Sequence, residues 1–416
     1  MRMDNTSRIK VLIKKGVTIP NPDSIEIGND VVLEKISGDG TVIYSGCKIY
    51  GNSTLILHGA KIGYEGPVTI DNCQVGPQVD LKGGFFRNAV FLKKAGLGLG
   101  SYIREGTILE EEANVAHTVG LKQTILFPFV TLGSLINFCD CLMSGGTSRK
   151  NHSEVGSSYV HFNYTPNQDK ATPSLIGDVP RGVMLNQPPI FLGGQGGLVG
   201  PCRLEFGTVI AAGSTYRKDE PQPGRLIFSE GGKGGSVPFI PGIQYDIKRK
   251  VLNNIVYIAN LMALFQWYMH VRSLFISRDF PDALYDGLVE KLTVAIDERI
   301  TKLKLFSQKM LDSARTYTEV VKENASSPVL KQKKELYERW TELEAHFKEH
   351  PNREGKMSLR DPFLEKTDSG IIVSGKEYIS VITGLKPNDA ELGTLWLQGI
   401  VDGIVDEALK IMPSFR

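Results

Sequence analysis

The residues whose types could support catalysis gather in three segments: NFCDCLMSGGTSRKNHSEVGSSYV (137–160), HFNYTPNQDKATPSLIGD (161–178) and GGLVGPCRLEFGTVIAAGSTYRKD (196–219). Imidazole titrates near neutrality, where a base is both populated and strong. On residue type alone His58, His117, His152 and His161 are therefore candidates. The five cysteines, Cys47, Cys73, Cys139, Cys141 and Cys202, are scattered. Cys139 and Cys141 are separated by one residue rather than the two that metal or redox pairs use. They read as small apolar core residues held reduced, as in a cytoplasm. No metal centre is expected: His117, His152 and His161 lack the tight spacing of a three-histidine zinc site.

The elements that must position these residues are written in a short repeat. An aliphatic residue precedes a glycine and a second apolar or small residue comes shortly after, as in IEIGNDVVL, AKIGYEGPVTI, CQVGPQVDL, LGLGSYIREGTIL and GLVGPCRL. A period of about six with one inward aliphatic per unit predicts an all-β left-handed parallel β-helix of hexapeptide repeats over 17–228, after a short segment 1–16. Each unit is one short strand plus one corner, and its aliphatic must match the copies above and below it inside a narrow prism. Two stretches break the beat. Phe85 to Lys94 runs without glycine corners, and PRGVMLNQPP (180–189) predicts a loop standing off the prism.

A Gly/Pro-rich stretch over 229–244 reads as a linker. Beyond it, Val251, Ile255, Ile258, Met262, Phe265 and Met269 recur at helical spacing, as do Leu288, Leu292, Ile296, Ile300, Leu303 and Phe306. The expectation for 245–416 is an α-helical bundle domain that folds independently and is able to carry a protein partner.

With these motifs in place, the chain resembles the acetyltransferase half of the bifunctional glucosamine-1-phosphate acetyltransferase and N-acetylglucosamine-1-phosphate uridyltransferase family. That family carries N-F-x-E, S-K-x-x-H, N-Y-D-G before T-x-I-G-D, L-V-A-P and A-A-G-S-T in order. Here stand Asn137-Phe138-Cys139-Asp140, Ser148-Arg149-Lys150-Asn151-His152, and Asn163-Tyr164-Thr165-Pro166 before Ile176-Gly177-Asp178. Leu198-Val199-Gly200-Pro201 and Ala211-Ala212-Gly213-Ser214-Thr215 complete the series. The resemblance implies an acyltransferase using acetyl-CoA as co-substrate. His152 falls on the catalytic base, and Asp140 falls on the carboxylate that holds it. Asn163 and Tyr164 match the turn at the thioester end, Ala212 a small residue along the pantetheine groove, and Gly194 a position where the family usually has serine. It also implies a homotrimer.

The departures narrow the expectation. The family's arginine and lysine for a phosphorylated acceptor are replaced by Phe127-Pro128-Phe129-Val130-Thr131-Leu132-Gly133 and Cys141-Leu142-Met143, so glucosamine-1-phosphate loses its main anchors. About twelve residues between the family's histidine and N-Y-D-G are absent. The glycine-rich nucleotidyltransferase loop is also absent, so no pyrophosphorylase activity is expected. The expected acceptor is a small molecule, an amino sugar, nucleotide sugar or related hydroxyl. The alternative is a non-catalytic β-helix scaffold or sugar-nucleotide-binding protein derived from such a transferase. A formal charge of +2 with dispersed signs argues against a nucleic-acid partner. The absence of a leader-like start or a sufficiently apolar span argues against membrane insertion.

Overall fold

The computed structural model describes residues 3–228, 239–321, 327–349 and 352–416. The expected linker residues 229–238 lie outside them. The chain forms the anticipated left-handed parallel β-helix followed by a helical region. Each coil lays one short strand on each of three parallel faces. In one coil, Gly120–Leu126 bends across faces 1 and 2, and Thr131–Leu132 supplies face 3. The corner between faces 1 and 2 is turned by left-handed residues stacked from coil to coil: Asn72, Asn88, Gln123 and Asp140, with φ of 52°, 49°, 50° and 62°. Asn and Asp tolerate this region better than most side chains. Gly51 and Gly106 hold the same corner in two other coils, with φ of 92° and 71°, so Asn, Gln and Asp share it with glycine.

The N-terminal segment is a helix, α1 (Asn5–Lys15). It is capped by Asp4, which accepts from the Ser7 amide at 2.7 Å, and it seals the first coil with Ile9 and Leu12. A short α2 (Val179–Gly182) sits in the insert predicted around 180–189. The remaining helices are α3 (Lys248–His270), α4 (Asp282–Gln308), α5 (Met310–Val321), α6 (Pro328–Glu338), α7 (Trp340–Lys348), α8 (Met357–Ser374), α9 (Tyr378–Thr383) and α10 (Pro387–Ile411).

The three faces are covered differently. On face 3 most strands alternate outward and buried residues, as a half-solvated sheet does. On face 2 the strands Leu55–Ile56, Gln74–Val75, Ala89–Phe91, Thr107–Leu109 and Ser174–Ile176 are buried throughout. The register aligns Gln74, Val90, Ile108, Ile125, Leu142 and Leu175 in one outward column, and α4 packs on its first strands. A parallel sheet buried on both sides reads as a continuous apolar run rather than an alternation. This is why Phe85 to Lys94 lost its beat.

Helix α4 runs along the prism axis. A Cβ on its Gly287 would meet the Gln74 side chain at 2.6 Å, and its Arg299 meets Asp140, four coil steps on. Twelve residues of helix span ~18 Å and four strand spacings ~19 Å, so rise and coil pitch agree over this distance. Helix α3 then packs on α4 and α2, and α10 on α3 and α2. Prism and helices share one continuous buried core, so the helical region, expected to fold independently, packs against the prism. The apolar face of α4 needs face 2 beneath it.

A fragment comprising residues 245–416 should therefore melt without the cooperative transition of the whole chain. Each large aliphatic exposed by the cut costs about 1.5–3 kcal/mol. Circular dichroism melts of the fragment and the full chain would check this, and equal midpoints would refute the shared core.

Candidate functional site

The sequence candidates lie on three different corners of the prism. His152 stands between faces 2 and 3, on an insert that leaves face 2 after Met143. The insert folds as an antiparallel hairpin of Gly146–Ser148 and Asn151–His152. Its base requires glycine: Gly146 has φ 102°, and a Cβ there would lie 2.6 Å from the His152 Cα. Arg149 fastens the tip, donating to the carbonyls of Glu112 (3.0 Å) and Phe129 (2.7 Å) and to the Thr131 hydroxyl (2.9 Å).

The His152 ring is oriented by the backbone. Nδ1 lies 2.9 Å from the Arg149 carbonyl, which can only accept, so Nδ1 carries a proton and the neutral tautomer has its lone pair on Nε2. Glu154 lies 3.8 Å from Nε2. An imidazole oriented through Nδ1 is the arrangement a general base acting through Nε2 needs.

Asp140 is not its orienting partner within the chain. It occupies the corner between faces 1 and 2, and its buried carboxylate accepts from Asn163 Nδ2 at 3.0 Å and pairs with Arg299 at 2.8 Å. The expected His152–Asp140 pair is therefore corrected: the Arg149 carbonyl holds the histidine, and a buried guanidinium from α4 holds the carboxylate. Asn163 thus meets Asp140, while Tyr164 beside it is exposed, with the Lys170 ammonium 5.9 Å over its ring.

Gly194 and Ala212 share the third corner, between faces 3 and 1, on successive coils. Gly213, next to Ala212, donates to the Gly194 carbonyl at 2.9 Å. A Cβ on Gly194 would lie 2.7 Å from the Ser157 carbonyl oxygen, so the corner accepts glycine where the resembled family has serine.

His161 is a core residue. Its Nδ1 donates to the Cys139 carbonyl at 2.6 Å, and its Nε2 accepts from the Ser174 hydroxyl at 2.8 Å, which in turn accepts from the Cys202 amide at 3.1 Å. Burial pushes its pKa down to about 4. His117 bonds to the Ser134 hydroxyl and His58 faces Asp279. Among the described residues no group of three or more potential ligands could hold a metal ion.

Two residues here escaped sequence reasoning, Arg149 and Arg299. Arg299 left a signal, a cation four residues before Leu303 and seven after Leu292, inside an apolar helical stripe. Positive charge also returns at the face 1/2 corner from neighbouring coils: Arg104, Lys122 and Lys170 all act on Cys139, and Lys122 is in register with it.

The coils, together with the sequence relatives that follow, fit an acetyltransferase-like hexapeptide-repeat protein. Its sequence is similar to the bifunctional protein GlmU of Pelobacter propionicus, 27% identical over 211 residues, half of this chain and 40% of that protein. GlmU of Thermotoga maritima is 27% identical over 215 residues, 51% and 42% of the two chains, and GlmU of Corynebacterium aurimucosum 27% over 231 residues, 55% and 42%. The matched region thus spans about two fifths of these curated relatives. No protein-family model matches the chain. Among the described residues no helix is long and apolar enough to cross a membrane.

Removing the Asp140 charge should leave Arg299 buried without its partner, costing about 3–5 kcal/mol. Asp140→Asn is expected to lose stability on that scale in urea unfolding, and Asp140→Asn with Arg299→Met to recover much of it. A double variant no more stable than the single would show that the ion pair is not the source.

The His161 arrangement sets a pH dependence. The unfolded chain takes up this proton below about 6.5, whereas the folded chain holds out until about 4. Stability present above pH 6.5 is thus lost as pH falls to 4, on the order of 3 kcal/mol. The stability gap between wild type and His161→Gln should shrink across that window. An unchanged gap would remove the assignment.

Proposed function

We propose that the chain is an acetyl-CoA-dependent acyltransferase whose site is assembled between copies of itself, with His152 as general base. The observation that carries this reading is the pinned imidazole, whose Nδ1 is engaged by the Arg149 carbonyl and whose Nε2 is left as acceptor. As the acceptor's nitrogen or oxygen bonds to the acyl carbon, Nε2 takes its proton. The carbon–sulfur bond then breaks, and the imidazolium returns the proton to the leaving thiolate. Acetyl-CoA supplies the activated acyl group.

Association follows from the placement of the candidates. Three corners of one prism point in different directions, so a single chain does not bring His152, the Asn163–Tyr164 turn and the Gly194–Ala212 strip to one point. Prisms packed side by side do, and a homotrimer closes that arrangement with one site per interface. With face 2 occupied by helices, faces 1 and 3 are the ones free to meet. Asn163 and Tyr164 then lie by the thioester, with Gly194 and Ala212 along the pantetheine. Arg104 and Lys170 favour an acceptor carrying negative charge, such as a nucleotide sugar, over a neutral amino sugar; Lys122 is paired with Glu105 at 2.8 Å.

A scaffold without catalysis is the competing reading, favoured by the engagement of Asp140 with Arg299. The two separate on one measurement, thiol release from acetyl-CoA across a panel of amino sugars and nucleotide sugars, with acetylated product identified by mass. His152→Ala should lower turnover about a hundredfold to ten-thousandfold and leave acetyl-CoA affinity nearly unchanged, because the base meets the acceptor's proton. Full activity in His152→Ala would end the assignment, and no product from any acceptor would favour the scaffold.

A further inference from the structure

The segment 163–173 leaves the prism at the face 1/2 corner, between Tyr159–Phe162 and Ser174–Ile176, and carries no strand or helix of its own. Its internal bonds are few: the Gln168 amide to the Thr165 carbonyl at 2.9 Å, the Thr165 amide to the Asp169 carbonyl at 3.3 Å, and the Thr165 hydroxyl to the Asp169 carboxylate. An exposed loop so poor in its own contacts would ordinarily sample many conformations.

This one is fastened along its length by the helical region. Lys309, at the end of α4, donates to the Asn167 and Gln168 carbonyls at 3.1 and 2.9 Å. Arg299 donates to the Lys170 carbonyl at 3.4 Å while pairing with Asp140, which holds Asn163. Asn254 of α3 donates to the Ala171 carbonyl at 2.9 Å. Lys250 of α3 pairs with the buried Asp169 carboxylate at 3.2 Å, and Gln244 Nε2 donates to it at 3.3 Å. The Asn167 amide group donates to the Ile243 carbonyl at 2.7 Å and accepts from the Gly242 amide at 3.0 Å. Four successive stations of the helical region, 242–244, α3, α4 and Lys309, therefore meet one loop. Tyr164, Pro166, Gln168 and Lys170 are the loop's exposed residues.

We infer that Lys250, Arg299 and Lys309 are positioning residues, and that the helical region serves to hold the 163–171 loop in one conformation so that Asn163 and Tyr164 are presented to the acyl donor. This rests on the acyltransferase reading only for the identity of the ligand to which the loop is presented. The anchoring itself stands on the contacts. Charged donors on backbone carbonyls are stronger than neutral ones, and a loop fixed beforehand binds without first being ordered.

Lys309 lies at the surface and outside the proposed site, so its variant tests the idea without threatening the fold. In Lys309→Ala, hydrogen exchange of peptides covering 164–171 should accelerate about tenfold or more while the other prism peptides keep their rates. The KM for acetyl-CoA should rise several-fold with kcat little changed, and Lys309→Arg should restore both. Lys250→Met should loosen the same peptides. Unchanged exchange at 164–171 in both Lys309→Ala and Lys250→Met overturns the anchoring. Faster exchange with an unaltered KM overturns the positioning role, as does a uniform acceleration throughout the chain, which marks a merely structural effect. If wild type transfers acetyl to no acceptor, the acyltransferase reading fails. The exchange experiment still decides the anchoring, and calorimetric titration with acetyl-CoA then stands in for KM: affinity equal in wild type and Lys309→Ala removes the positioning role.

Discussion

The outward column of face 2 is the constraint on which the rest of the molecule depends. Val90, Ile108, Ile125, Leu142 and Leu175 point away from the prism interior, yet all are buried. Left to water, five such side chains would expose an apolar stripe about four coils long, the kind of surface that invites association. Helix α4 covers its first strands, where helical rise and coil pitch match in register, and α3 meets its last, Ser174–Ile176. Once α4 is laid along the axis, α3 has a surface to pack on, and α10 packs on α3. The helical region is thus the missing second side of a parallel sheet.

Burying that junction also buried charge, and the chain answers each case with a partner. Asp140 meets Arg299, and Glu111 meets Arg272, whose guanidinium is stacked between Phe280 and Tyr378 at 4.7 and 3.8 Å from their ring centres. Glu110, beside Glu111, accepts from the Tyr268 hydroxyl at 2.6 Å, and burial lifts its carboxyl to about 7. A buried ion pair adds little net stability, but it is intolerant of alternatives, because any shift of the helix along the prism would strand a charge in apolar surroundings. Arg299 and Arg272 therefore fix where α4 and the end of α3 sit.

The same geometry decides what the surface can do. Face 2 is taken, so among the described residues the prism offers faces 1 and 3 and its corners to ligands or further copies. His152 projects from one corner on a hairpin whose base is two glycines and whose tip is tied by Arg149. The loop with Tyr164 projects from another, tied by the helices. Both are irregular segments standing on a rigid repeat, the placement in which loops acquire definite geometry without secondary structure.

The repeat itself was legible in the residues. One inward aliphatic every six positions leaves a chain few ways to bury them other than a stacked prism, so the fold of 17–228 and the helical character of the C-terminal region were determined locally. The ordered motifs around His152, Asn163 and Ala212 were likewise readable. The partners were not. That Asp140 would meet Arg299, 159 residues away, depends on which face the helices cover, and that a backbone carbonyl rather than a carboxylate would orient His152 depends on the fold of its hairpin. Six-residue periodicity records which side chains point inward but is nearly silent about the outer side. The apolar run from Ala89 to Leu92 marked that a cover existed. Only the tertiary structure decided which helix supplied it, because many apolar stripes fit an apolar face, and the choice among them falls to long-range matches of length and charge.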